Sequence, residues 1–254
     1  MKLGLAWGAG LFAGLMMVAA QTPWASAADL KGKFERTFQV TGAANLDVVT
    51  GSGDISVRTG DASAVVVKGI IHVRSTEPDA EQILRDLEEH PPVAQSGNSI
   101  QIGNEGGSER TRNVSIDYEL VVPSGSEFKA RTGSGDLSVS GPLGAVDVRT
   151  GSGDVAMDSV KGSVRLMTGS GDIRMKGAGA GGADVQTGSG DVAVALPTEG
   201  GFDLAVETGS GDVSTATGLT IQSWKSSHGS FMGKVRGGGT RYAIRTGSGD
   251  IRIE

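Results

Sequence analysis

The pentapeptide Thr-Gly-Ser-Gly-Asp occurs seven times in this chain, beginning at Thr50, Thr132, Thr150, Thr168, Thr187, Thr208 and Thr246. From Thr132 onward the steps are 18, 18, 19, 21 and 38 residues. The last step is two periods long, with a degenerate copy, Ser227-His228-Gly229-Ser230, at its midpoint. A fixed period of about 19 residues predicts a solenoid, in which each repeat is one coil stacked on its neighbours. A single coil buries too few apolar side chains to offset the entropy of ordering it, so the coils stand only as a stack.

The stretches between corners read as strands. Val146, Val148 and Thr150 alternate with Asp147 and Arg149, and after Gly151-Ser152-Gly153 the residues Val155 and Met157 alternate with Ala156 and Asp158. Alternation with period two marks half-buried strands. The chain is therefore expected to be all-β, a single-stranded parallel β-solenoid (a β-helix) with coils of about 19 residues and two main strands per coil. Equivalent strands then pair in parallel about 4.8 Å apart. The corners carry paired glycines at Gly51 and Gly53, Gly133 and Gly135, Gly151 and Gly153, Gly169 and Gly171, Gly188 and Gly190, Gly209 and Gly211, and Gly247 and Gly249. A reversal within three residues calls for positive φ, which glycine adopts at least cost.

Before Thr132 the pattern loosens. Leu46, Val48, Thr50, Ile55 and Val57 form one coil, and residues 63–74 read as a strand pair. Residues 76–89 predict one helix, with Thr76 as N-cap, an apolar stripe of Ala80, Ile83, Leu84 and Leu87, and Pro91-Pro92 as its stop. The 82 residues from Thr50 to Thr132 amount to about four periods with that helix inserted. Residues 28–123 are read as the capping part of the solenoid and 124–254 as its regular part. The terminal Asp250-Ile-Arg-Ile-Glu254 reads as a charged last strand that blunts an open edge.

Residues 1–27 have the form of a secretory signal. Lys2 is the only charge before Asp29, Leu3 to Ala20 is apolar, and Ala25-Ser26-Ala27 gives a small-residue cleavage pattern before Ala28. An uncleaved membrane anchor is the rival reading of this run. No later stretch is long and apolar enough to span a bilayer, so cleavage would leave no transmembrane segment. The absence of cysteine excludes disulfides, thiolate chemistry and lipid attachment through cysteine. The formal charge is −6, and −7 without residues 1–27. That balance gives no electrostatic reason to bind nucleic acid. The expected location is outside the cytoplasm, in the periplasm or at the cell surface.

The repeat, the stretch Tyr118-Glu-Leu-Val-Val-Pro-Ser-Gly-Ser-Glu-Phe-Lys-Ala-Arg-Thr-Gly-Ser-Gly-Asp136 and the lead Phe34-Glu-Arg-Thr-Phe-Gln-Val40 resemble the bacterial putative-adhesin family of domains of unknown function. The resemblance covers almost all of the chain after the signal. It implies an envelope or secreted β-solenoid with an adhesin-like binding or structural role, and it brings no catalytic residue and no cofactor.

Several features compete for a functional role. The corner aspartates, among them Asp136, Asp154, Asp172 and Asp191, would stack into a column about 5 Å apart. Such a column suggests Ca²⁺, which prefers carboxylate oxygens. Capping of corner N–H groups by aspartate explains the same residues and is the favoured reading. The threonines share the parity of the buried valines and should bond corner backbone, while the serines tip outward. His72, His90 and His228 have no metal-ligand spacing, and no serine has an evident base. A polysaccharide-cleaving enzyme would need two carboxylates in unlike environments, whereas these acids are equivalent. The irregular stretch 219–242 gathers Trp224, Lys225, Phe231, Arg236 and Tyr242 and is the candidate binding surface. The partner would be a protein or a cell-surface ligand. A periplasmic sensor or assembly factor that binds a protein remains the alternative to the adhesin-like module.

Overall fold

The structure, a computed structural model, describes residues 29–61, 63–74, 79–103, 113–177, 180–215, 221–227 (backbone only) and 229–254. The N-terminal part contributes β1 (Leu30–Gln39), β2 (Asn45–Ser52), β3 (Ile55–Thr59), β4 (Ala64–Val73), α1 (Ala80–Glu89), β5 (Val93–Ser96), β6 (Ser99–Gly103) and β7 (Val114–Val122). The regular part runs in pairs: β8 (Glu127–Ser134) with β9 (Leu137–Ser140), β10 (Val146–Ser152) with β11 (Val155–Asp158), and β12 (Val164–Ser170) with β13 (Ile173–Lys176). β14 (Ala183–Ser189) with β15 (Val192–Val194) and β16 (Phe202–Ser210) with β17 (Val213–Thr215) continue it. Then come β18 (Ile221–Ser227), β19 (Ser230–Val235), β20 (Thr240–Ser248) and β21 (Ile251–Ile253).

These strands form two sheets that face each other across one apolar core. One sheet has the order β1-β4-β7-β3-β9-β11-β13-β15-β21-β17 and the other β18-β19-β16-β20-β14-β12-β10-β8-β2-β6-β5. We call them the short-strand and long-strand sheets. The alternation read from sequence sets their faces. In the coil of β10 and β11, Val146, Val148, Thr150, Val155 and Met157 are buried, while Arg149, Ala156 and Asp158 are exposed. The coils pair in parallel with every corner in register, so that Thr150 aligns with Thr132 on one side and Thr168 on the other. The expected β-solenoid is observed.

The coils do not stack in chain order. Thr50 pairs directly with Thr132, so the coil of β2 and β3 lies against that of β8 and β9. Between Thr50 and Thr132, β3 and β8 belong to these two coils, while β4, α1, β5, β6 and β7 lie at the end of the stack. More unexpectedly, the last coil of the chain is interior: β20 lies between β14 and β16, and β21 between β15 and β17. Ile251 and Ile253 are fully buried there. The C-terminal strand is thus no edge. Identical corners fit one another in any order, so packing and connections decide the sequence of coils. Tyr242 of β20 fits between Ala183 of β14 and Leu204 of β16, and its ring packs edge-on to Phe202 with 5.4 Å between centroids. The small alanine beside the large tyrosine is a volume match that the order β14-β16 would forfeit.

The ends are closed by antiparallel pairing. β1, β4 and β7 extend the short-strand sheet antiparallel to one another. Residues 64–73 form one continuous strand rather than a pair, and Gly69 within it leaves room for the Phe34 ring, which would lie 2.2 Å from a Cβ. α1 packs its predicted stripe on this cap: Ala80 is buried, and Ile83, Leu84 and Leu87 are partly buried against the core. Arg36 donates to the carbonyls of Glu88 and Glu89 at 3.2 and 3.0 Å, which satisfies the helix C-terminus. The described helix begins at Ala80 with Asp79 as N-cap, and Thr76 lies outside the described residues. At the other end β18 and β19 form an antiparallel hairpin on β16. The degenerate repeat is therefore a hairpin turn and not a coil; its His228 lies outside the described residues.

Candidate functional site

The corner aspartates form a column, but their bonds run between coils and not within one corner. The N–H of Asp136 donates to Oδ1 of Asp54 at 2.8 Å, that of Asp154 to Asp136 at 2.9 Å, and that of Asp172 to Asp154 at 2.8 Å. The ladder continues through Asp191, Asp250 and Asp212 at 2.8–2.9 Å, following the spatial order of the coils and not the chain. Its head is Asp117, outside any pentapeptide and unmarked in the sequence. Asp117 accepts from the Asp54 N–H at 2.9 Å with Oδ1 and meets His72 Nε2 at 3.0 Å with Oδ2. The threonines complete the corner. Thr132, Thr150 and Thr246 donate to the carbonyls of Ser134, Ser152 and Ser248 at 3.0–3.2 Å.

One oxygen of each ladder carboxylate but the last, Asp212, is thus committed to a backbone N–H. Among the described residues, no group of three or more histidine, aspartate or glutamate side chains converges as a metal site. Millimolar Ca²⁺ is therefore expected to leave Tm unchanged, because only a ligand that prefers the folded state raises stability. A chelator-reversible rise that disappears in the Asp154→Asn, Asp172→Asn double variant would contradict this.

The two glycines of each corner serve different ends. The second has positive φ, from 122° at Gly53 to 143° at Gly171 and Gly190, as the corner reading expected. The first does not, yet it lies close to the preceding coil: a Cβ on Gly151 would stand 2.6 Å from the Gly133 carbonyl oxygen.

The described side chains of the stretch 219–242 do not gather on one surface. Tyr242 is a core residue, 1% exposed. Burial pushes its phenol, like that of Tyr118, above the usual tyrosine range. Arg236 clamps a neighbouring loop: its guanidinium donates to the carbonyls of Pro197, Thr198 and Gly200 and lies 5.5 Å from the Phe202 ring centre. Phe231 is partly buried against the core. Trp224 and Lys225 lie on β18 opposite Gly233 and Met232; their side chains are outside what the structure describes. Met232 is half exposed at this end of the molecule.

A concave feature lies elsewhere, on the outer face of the long-strand sheet. A groove of about 910 Å³ crosses β6, β2, β8, β10, β12, β14 and β20. One row of side chains along its floor alternates in charge: Asp47, Lys129, Asp147, Arg165 and Asp184, cross-strand partners in register. All five stand three residues before a corner threonine, so alignment of the repeats alone would have revealed the row. Opposite charges on facing strands are mutually favourable. A second row, one residue before the threonine, adds Arg131, Arg149 and Arg245. Arg131 pairs with Asp47 at 3.5 Å, and Arg149 and Arg245 pair with Asp147 and Asp184 at 3.4 Å each.

A family model described as Toastrack DUF4097 matches residues 39–254. This chain belongs to the Toastrack DUF4097 family. No curated protein matches it. A putative cell adhesion protein from Clostridium sporogenes has a similar structure, with TM-score 0.53 and 18% identity, covering 88% of this chain and 99% of that one. A putative adhesin from Bacteroides fragilis is 14% identical at TM-score 0.33 over 88% of this chain and 97% of that one. At 18% identity the first likeness speaks to the Toastrack fold alone. No described helix of this Toastrack chain is long and apolar enough to cross a membrane.

Proposed function

We propose that this chain is an exported, non-catalytic binding module of the cell envelope, adhesin-like in role, with the groove on the long-strand sheet as its ligand surface. The observation that carries the reading is the groove itself: a concavity of about 910 Å³, lined by charged and polar side chains on paired strands. Rigid sheets hold such side chains at fixed spacing, which lowers the ordering cost of binding. The non-catalytic reading is supported by the engagement of the repeated acids, Asp54, Asp136, Asp154, Asp172, Asp191 and Asp250 with backbone N–H groups and Asp47, Asp147 and Asp184 with arginines. The form of residues 1–27 supports export.

The test is binding of the purified protein to an array of cell-surface polysaccharides, alongside the Lys129→Glu, Arg165→Glu double variant. The double variant is expected to lose binding with a modest fall in Tm, since both side chains are exposed but the change sets five carboxylates in register on adjacent strands. Undiminished binding by that variant would remove the groove from the account. Loss on Met232→Glu instead would favour the second reading, an end-coil surface for a protein partner, which the half-exposed Met232 supports.

A further inference from the structure

We propose that the groove takes a linear acidic polysaccharide, and that Lys129, Arg165 and Arg241 are the residues that bind its carboxylates. The inference rests on the reading of the groove as the ligand surface. Its starting point is an imbalance in the pairing of charges. The floor acids Asp47, Asp147 and Asp184 each have an arginine of the second row within 3.5 Å. Two cations of the first row and Arg241, which stands two residues before the row position held by Ala243 on β20, have none: among the described residues, no carboxylate lies within ion-pair distance of Lys129, Arg165 or Arg241. All three are exposed on the groove wall. The acids are drawn to one side by Arg131, Arg149 and Arg245, and the three remaining cations face the open groove. Glu127 also lines the groove, next to Lys129 on β8, and Glu207 meets Arg245 at 3.8 Å. Neither is within ion-pair distance of the three cations.

The spacing of the three cations selects the ligand. They stand on β8, β12 and β20, which are every second strand of the sheet. Adjacent strands lie about 4.8 Å apart, so Lys129 and Arg165 stand roughly 10 Å apart along the groove, and Arg241 follows two strands further on, displaced by two residues along β20. A linear polysaccharide with one carboxylate in every second sugar ring carries charge at the same order of spacing. Nucleic acid, with a charge every ~1.7 Å of duplex, would need a far denser basic surface than this acidic chain offers. The intervening Asp147 and Asp184 are half-buried and paired with Arg149 and Arg245, and their carboxylates have further lone pairs to accept hydrogen bonds from the hydroxyls of an uncharged ring. Arg241 belongs to this line only because β20 is inserted beside β14. With the coils in chain order, β16 would occupy that slot and place Asp203 at the position of Arg241.

The experiment compares a hyaluronate oligosaccharide of about ten sugars, which carries one carboxylate in every second ring, with its fully methyl-esterified form, which keeps the sugar backbone and removes the charge. Isothermal titration of the purified protein should show binding of the acid at least about tenfold tighter than the ester, weakening as salt rises toward 0.5 M. The triple variant Lys129→Gln, Arg165→Gln, Arg241→Gln should lose at least about tenfold in affinity for the acid. Its melting temperature serves as the control for folding. Equal binding of acid and ester, or undiminished binding by the triple variant, would overturn the proposal. Equal binding that still fails in the Lys129→Glu, Arg165→Glu variant would overturn the anionic ligand and leave the groove as the ligand surface. Absence of binding by both forms would overturn the acidic ligand, and the polysaccharide array would then decide the groove.

Discussion

Gly171→Ala is expected to destabilise the protein by about 2–4 kcal/mol, through backbone conformation and steric overlap together. Gly171 has φ 143°, which an L-residue rarely adopts, and its Cβ would stand 2.1 Å from the Gly153 carbonyl oxygen. The obstacle is backbone of the adjoining coil, which moves only if the ladder of parallel bonds moves with it. Gly169→Ala should cost less, since its φ is ordinary, although its Cβ would lie 2.6 Å from the Gly151 oxygen. Gly51 supplies an internal control. It holds the same place in its pentapeptide as Gly169, but no atom lies within 4 Å of a Cβ there and its φ is not positive. Gly51→Ala should fall within about 0.5 kcal/mol of wild type. Chemical denaturation of the three variants checks the ranking. A cost at Gly51 equal to that at Gly171 would show that local sequence, and not contact between coils, explains these glycines.

Deletion of residues 249–254 should unfold much of the C-terminal third of the molecule. The segment carries β21, which joins β15 to β17, and Asp250, which joins Asp191 to Asp212 in the ladder. Ile251 and Ile253 are fully buried. Their loss alone is worth about 4–10 kcal/mol, taking about 2–5 for each large-to-small deletion. Hydrogen exchange should show protection lost over residues 183–215 and retained over 127–158. If the last coil were merely the end of an ordered stack, the same deletion would leave residues 183–215 protected.

The repeat reveals the coil and conceals the order of coils. The register of Thr150 with Thr132 and Thr168, and the burial of Val146, Val148, Val155 and Met157, follow from alternation and period alone. The placement of β20 does not, because seven near-identical corners satisfy one another equally in any arrangement. What breaks the tie is the packing of Tyr242 with Ala183 and Phe202, a long-range fit that no window of sequence displays. The same property misdirects the reading of 219–242. Its aromatic and basic residues look like an exposed cluster, whereas Tyr242 fills the core and Arg236 ties down the loop at Pro197–Gly200. The groove is legible in part. Asp47, Lys129, Asp147, Arg165 and Asp184 recur at one position of the repeat, but their convergence with Arg241 requires the order of coils.

The insertion of the last coil, on which both the core and the charged groove depend, is tested most directly by paired cysteines, since the chain has none of its own. Ser189 on β14 is in register with Ser248 on β20, and Ser248 with Ser210 on β16. Adjacent strands hold Cα atoms within the range of about 4.4–6.8 Å that a disulfide needs, and strands two apart, at roughly 10 Å, do not. Under mild oxidation the variant Ser189→Cys, Ser248→Cys should form an intramolecular disulfide, and Ser189→Cys, Ser210→Cys should remain reduced. The reverse outcome, with residue 189 joined to 210 and not to 248, would mean that the coils stack in chain order and would contradict the account.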